Sequence, residues 1–271
     1  MPFGENVLIV LGKGVGYMPR FMTSRRPVQI EICIDSIQSA RAAERGGAHR
    51  VELCQNLFEG GTTPSAGLIL GVRRAVKLPV YVIIRPRGAD FCYSDAEFEV
   101  MKDDVRLARE WGADGIVLGL LKRDGTVDRK RTGILMQIAA PLPVTFHRAF
   151  DVTPDPFQAL ESLIDLGVQR VLTSGQERTV MEGIDLIAEL VQRAGKRIIV
   201  MPGGGISDRN FDKVRRLSKA REFHLSASGP VNSLMTYRNT RVPMGRELRA
   251  SEFAWSATDL EKVQKVVGSI R

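Results

Sequence analysis

Eight short apolar runs along this chain each end in residues that carry chemistry, and a helix-like stretch usually follows. The runs are Val28–Cys33, Arg50–Cys54, Val80–Arg85, Gly115–Gly119, Pro143–Arg148, Arg170–Ser174, Arg197–Met201 and Glu222–Ser226. Their starts fall roughly 22 to 35 residues apart, the repeat of a strand-helix unit in a (β/α)8 barrel. The pattern predicts an α/β chain forming a single-domain TIM barrel. In that fold the C-terminal strand ends build the active face, so the loaded ends of the runs mark the site.

Helix punctuation agrees with this layout. Ser36 is placed to cap a helix over Ile37–Arg45, which Gly46 and Gly47 close. Ser94 and Glu97 have capping-box spacing before Phe98–Trp111. Asp155-Pro156 opens a helix that Gly167 ends. Ser207 is placed to cap Arg209–Leu217, and Asp259–Val267 forms a last helix. Segment Ser228–Ala250, with Pro230, Pro243 and Gly245, does not read as a helix. A loop over the barrel mouth and an oligomer contact are both open for it.

No domain boundary interrupts the chain from residue 27 to 271. Residues 1–26 form an N-terminal extension that is basic and contains Gly12, Gly14 and Gly16. A disordered tail is the expectation there, with an organellar presequence as the alternative. Three cysteines cannot make a disulfide framework and fit a reducing compartment. No run reaches the length of a membrane span. The net charge of +8 is spread without a clustered basic face, which argues against nucleic-acid binding.

Side chains alternate across a strand. Ile30, Ile32 and Ile34 share one face of the first run, and Glu31 and Cys33 the other. Val51 and Leu53 oppose Arg50, Glu52 and Cys54; Val144 and Phe146 oppose Thr145 and His147; Phe223 and Leu225 oppose Glu222, His224 and Ser226. The face under the helices must be apolar, so the polar face points into the barrel. Buried carboxylates at Glu31, Glu52 and Glu222 then need partners, and Arg50, Arg85 and His224 are the nearest by type. A salt-bridge network that only plugs the barrel is the structural alternative to a site.

Three chemistries are candidates. Cys33 and Cys54 end neighbouring strands, and two inward thiols suit Cu(I); by spacing alone, packing as small apolar groups is favoured over a metal site. Cys92 follows the third strand and is either a further sulfur or loop packing. Gly203, Gly204 and Gly205 follow the seventh strand and Ser226 the eighth, where barrel enzymes hold an anion on loop amides. Arg85, Arg87, Arg148 and Ser174 extend that candidate anion site, with a tight turn as the plain alternative for the glycines. His147 and His224 are candidate acid-base groups, with Glu31 and Glu52 as catalytic carboxylates and as partners for His147.

Long motifs carry a resemblance. Glu31-Ile-Cys-Ile-Asp-Ser36, Arg50-Val-Glu-Leu-Cys54, Glu59-Gly-Gly-Thr-Thr-Pro-Ser65, Ile84-Arg-Pro-Arg-Gly-Ala-Asp-Phe-Cys-Tyr-Ser94, Val144-Thr-Phe-His-Arg-Ala-Phe-Asp151, Val171-Leu-Thr-Ser-Gly-Gln176 and Met201-Pro-Gly-Gly-Gly-Ile206 resemble the CutC copper homeostasis proteins. The resemblance runs from about Gln29 to Trp255. It implies a cytoplasmic barrel, a homo-oligomer (dimer or tetramer), and Cu(I) binding at Cys33 and Cys54. It departs at Ala89, where the family usually has Gly, and at Leu225, where some relatives carry a further cysteine. A barrel enzyme acting on a small anionic metabolite, phosphorylated ones included, is the second expectation.

Overall fold

All eight apolar runs are strands in the computed structural model, which describes residues 27–241 and 254–270. They are β1 (Gln29–Ile34), β2 (Arg50–Leu53), β3 (Val80–Ile83), β4 (Gly115–Leu118), β5 (Val144–Phe146), β6 (Arg170–Thr173), β7 (Ile199–Pro202) and β8 (Glu222–Leu225). β1 to β7 pair in parallel and in chain order, and β8 returns to pair with β1. A parallel bridge between Gly203 and His224 joins β7 to β8. The result is the nearly closed TIM barrel expected from the repeat.

The helices are α1 (Ile37–Arg45), α2 (Ala66–Ala75), α3 (Asp95–Glu110), α4 (Arg129–Ala139), α5 (Pro156–Leu166), α6 (Ile184–Ala194), α7 (Phe211–Ser218) and α8 (Leu260–Gly268). Ser36 caps α1, the Ser94–Glu97 box opens α3, and Asp155 with Pro156 opens α5, which Gly167 closes in the left-handed conformation. Ser207 does not cap α7. Asn210 occupies that cap position without a side-chain cap bond, and its amide is spent on Ser207 N–H and the Gly205 carbonyl, both at 2.8 Å. After β8 the chain forms β9 (Ser228–Asn232), antiparallel to β10 (Ala254–Thr258). The expectations placed on residues 1–26, Pro243 and Gly245 lie outside the described residues. Among those described, no helix is long and apolar enough to cross a membrane.

Strand parity sorts the side chains as expected. Ile30, Ile32, Ile34, Val51, Leu53, Val144, Phe146, Phe223 and Leu225 belong to the large apolar cluster that also holds buried residues of the helices. Inside the barrel, Cys54, Tyr81, Ile83 and Val117 form a separate small cluster with Cys33 beside it. Gly115 makes room for Tyr81, because a Cβ there would lie 2.6 Å from its ring.

Candidate functional site

The polar face of β1, β2, β6 and β8 closes on itself inside the barrel. Register sets Glu31 opposite Arg50 on one side and His224 on the other, and Cys33 opposite Glu52. Glu31 is 1% exposed and accepts from Arg50 Nε. Arg50 Nη2 also donates to Glu222 at 2.9 Å, and Arg170 Nε donates to the same carboxylate at 2.6 Å. Both guanidiniums stack against Tyr81, 4.7 and 5.5 Å from its ring centre. Arg170 and Tyr81 complete the network and escaped the sequence reading. Their signal was their inward parity on β6 and β3, the same rule that placed Arg50.

Above this network sits a thiol, carboxylate and imidazole cluster. The Cys33 and Cys54 sulfurs lie 3.6 Å apart. His224 Nδ1 is 2.7 Å from Glu31, and its Nε2 is 3.6 Å from Glu52. Two sets of metal-type donors, Cys33/Glu52/Cys54 and Glu31/Glu52/His224, each lie within 4.8 Å of one another. Cys92 belongs to neither set.

Proximity divides the protonation states. The contact with Cys54 pulls the Cys33 thiol down to about 6 against the effect of burial, with His224 helping. The same contact and burial push Cys54 well above the usual thiol range. Burial and the neighbouring Cys33 raise Glu52 to about 8. Burial opposes charge on His224, but Glu52, Cys33 and Glu31 outweigh it and hold the imidazole protonated well above its usual range. Burial also opposes charge on Glu31, and Arg50 and His224 overcome it, keeping the carboxyl ionised. At neutral pH the cluster is a Cys33 thiolate beside a His224 imidazolium, with Cys54 and Glu52 holding protons.

The expected anion residues do not form one site. Arg85 is buried and donates to the carbonyls of Glu59 (2.7 Å), Gly61 (2.9 Å) and Ala89 (2.8 Å). It clamps the loops after β2 and β3. Arg87 is paired with Glu97 at 2.5 Å and Asp90 at 3.1 Å. Arg148, Ser174 and the glycine loop do meet. Arg148 Nη2 donates to Ser174 Oγ at 2.6 Å, and a Cβ on Gly204 would lie 3.2 Å from Ser174 and 3.4 Å from Arg148. Asp151 anchors that corner, accepting from Arg148 Nε, Ser174 N–H and Thr173 Oγ1. Gly203 lets β6 and β8 close in, since a Cβ there would lie 2.5 Å from Leu172 and 3.1 Å from His224. Ser226 is exposed beside Ser228.

His147 stands apart from Glu31 and Glu52, which face His224 instead. Its Nδ1 accepts from Ala149 N–H at 3.1 Å, and its ring lies 5.0 Å from Phe91. Burial and the Arg85 charge push its pKa down to about 3, so the ring is neutral.

A family model described as CutC family matches residues 28–229. The human copper homeostasis protein cutC homolog is 54% identical over 87% of this chain and 86% of its own length. A CutC family protein of Parabacteroides distasonis is 51% identical over 88% of this chain and 98% of its own. Among solved structures, the CutC protein of Streptococcus agalactiae superposes with a TM-score of 0.71 at 33% identity, over 73% of this chain and 98% of that one. Phosphoribosylanthranilate isomerase of Pyrococcus furiosus shares the fold alone, with a TM-score of 0.53 at 13% identity.

Proposed function

The chain belongs to the CutC family, and on that footing we propose that it serves copper homeostasis by holding one Cu(I) between Cys33 and Cys54. The observation that carries this reading is the pair of sulfurs 3.6 Å apart on adjacent strands, one of them partly open to the mouth. Thiolates are the donors Cu(I) prefers. Cys33 meets the ion already deprotonated, and Cys54 gives up its proton as the second sulfur binds. The positive ion then sits beside two thiolates, while Arg50, Arg170 and His224 balance the carboxylates around it. The Glu52 carboxyl lies within 4.8 Å of both sulfurs.

Anaerobic competition titration tests the reading. The expected result is about one Cu(I) per chain in the wild type, with about one proton released per ion. Cys33→Ser combined with Cys54→Ser should abolish the binding. Undiminished Cu(I) binding in the folded double variant would overturn it.

A further inference from the structure

Four buried side-chain polar atoms lack a hydrogen-bond partner among the described residues: Arg85 Nε, Tyr93 Oη, His147 Nε2 and Thr132 Oγ1. Native proteins leave very few such atoms, so a cluster of them calls for an explanation. Three of the four belong to one corner of the barrel mouth. The Arg85 guanidinium lies 5.1 Å from the centre of the Phe91 ring, and the His147 ring lies 5.0 Å from it on the β5 side. The Arg85 charge acts on both the Tyr93 hydroxyl and the His147 imidazole. Gly119 on the intervening strand end is what admits the His147 ring, because a Cβ there would lie 2.4 Å from it.

All three orphans can donate, and the Tyr93 hydroxyl can also accept. His147 Nδ1 accepts a backbone N–H, which leaves the ring proton on Nε2. Arg85 spends three of its five N–H groups on the carbonyls of Glu59, Gly61 and Ala89, leaving Nε–H and one other. The corner therefore offers more N–H and O–H groups than acceptors, with one positive charge and the Tyr93 hydroxyl oxygen facing it. The Phe91 ring, tilted 50° from His147, adds a weak aromatic acceptor.

We propose that this corner is a binding site for a small monocarboxylate, whose two oxygens accept from Arg85 Nε–H, His147 Nε2–H and the Tyr93 hydroxyl once the Phe91 ring swings aside. One guanidinium charge balances one carboxylate, whereas a phosphate dianion would bring a second charge and further oxygens with nothing to meet them. The corner borders the thiol pair: Gly61, whose carbonyl Arg85 holds, packs so that a Cβ on it would lie 3.2 Å from Cys54 Sγ. It uses different residues from the copper reading, so either can fail alone.

The test is a titration of the full chain with acetate, pyruvate and benzoate, against chloride at equal ionic strength, read on the imidazole nitrogen resonances. The expected result is a saturable shift of the His147 Nε2 signal at concentrations up to about 10 mM. Phe91→Ala should tighten it about tenfold by removing the cover. His147→Phe should stay folded, keep the wild-type Cu(I) titration and lose the heat of acid binding that calorimetry reads in the wild type. No saturable shift with any of the three acids, an unchanged heat of acid binding in His147→Phe, or tighter binding of inorganic phosphate than of every acid would each overturn the proposal.

Discussion

The two sides of the barrel mouth handle their charged residues in opposite ways. On the side of β1, β2 and β8, carboxylates, guanidiniums and imidazole satisfy one another side chain to side chain. On the side of β3 to β5, Arg85 spends itself on loop carbonyls, and His147 is left with one nitrogen unpaired. The first arrangement favours a thiolate on Cys33 beside the His224 imidazolium and keeps the proton on Cys54. The second fixes loop positions and leaves donors waiting. One barrel thus presents a wall of mutually paired side chains and a wall with spare donors, built from the same residue types.

Breaking the paired wall should have the largest effect on stability. Arg50→Ala leaves Glu31 and Glu222 short of a partner in a dry interior and should cost about 3–5 kcal/mol in urea denaturation. A loss under about 1 kcal/mol would mean that water reaches the network. On the opposite wall, Arg85→Ala strips three backbone carbonyls of a charged donor and should cost about 2–3 kcal/mol. Arg87→Ala removes partly exposed ion pairs and bonds to the carbonyls of Gly88, Asp90 and Cys92 that water can replace, and should cost under about 1 kcal/mol. Equal losses for the two arginines would erase the distinction between a buried clamp and a surface bridge.

Acid separates the walls next. Cys33 is a thiolate above about pH 6, so its alkylation by iodoacetamide should stay fast from neutral pH down to about 6 and fall below it, while Cys54 stays unlabelled. A midpoint in the ordinary thiol range would contradict the pairing with Cys54 and His224. His147 has the same sign of linkage as Cys33, in a lower pH window. Its pKa is depressed on folding, so the unfolded chain takes up a proton first as pH falls below its ordinary value. The stability it contributes is present above about pH 6.5 and is lost as pH falls toward about 3. In His147→Phe that part of the acid loss should vanish from urea curves measured across this window.

The smallest effect concerns Ala89. Its backbone is left-handed, at φ 61, and its carbonyl holds Arg85 at 2.8 Å. A residue without Cβ relieves the strain at that position. Ala89→Gly should stabilise the chain by roughly 0.5–1 kcal/mol after the entropy gained by the unfolded state, read as a shift in the urea midpoint.

Strand order, the closing of β8 on β1 and the inward turn of Glu31, Glu52, Glu222 and His224 were all legible in the sequence. They follow from repeat length and two-residue alternation, which are local properties of a strand. The partner of Glu222 was half legible: Arg50 was named, while Arg170 needed the barrel curvature that brings β6 across to β8. The pairing of Arg85 with the buried carboxylates was expected and is not what the structure holds. Its partners are main-chain carbonyls, and carbonyls carry no residue type to read. The cap on α7 misled for a related reason, since Ser207 and Asn210 both have capping side chains and only the loop path from Gly205 decides between them.

The central claim is that Cys33 and Cys54 together hold one copper ion. Copper K-edge X-ray absorption on the Cu(I)-loaded chain tests it most directly. The account predicts an edge and scattering shell from two sulfurs, replaced by oxygen or lost altogether in Cys33→Ser plus Cys54→Ser. A first shell of nitrogen and oxygen in the wild type, or a sulfur shell that survives in the double variant, would contradict it.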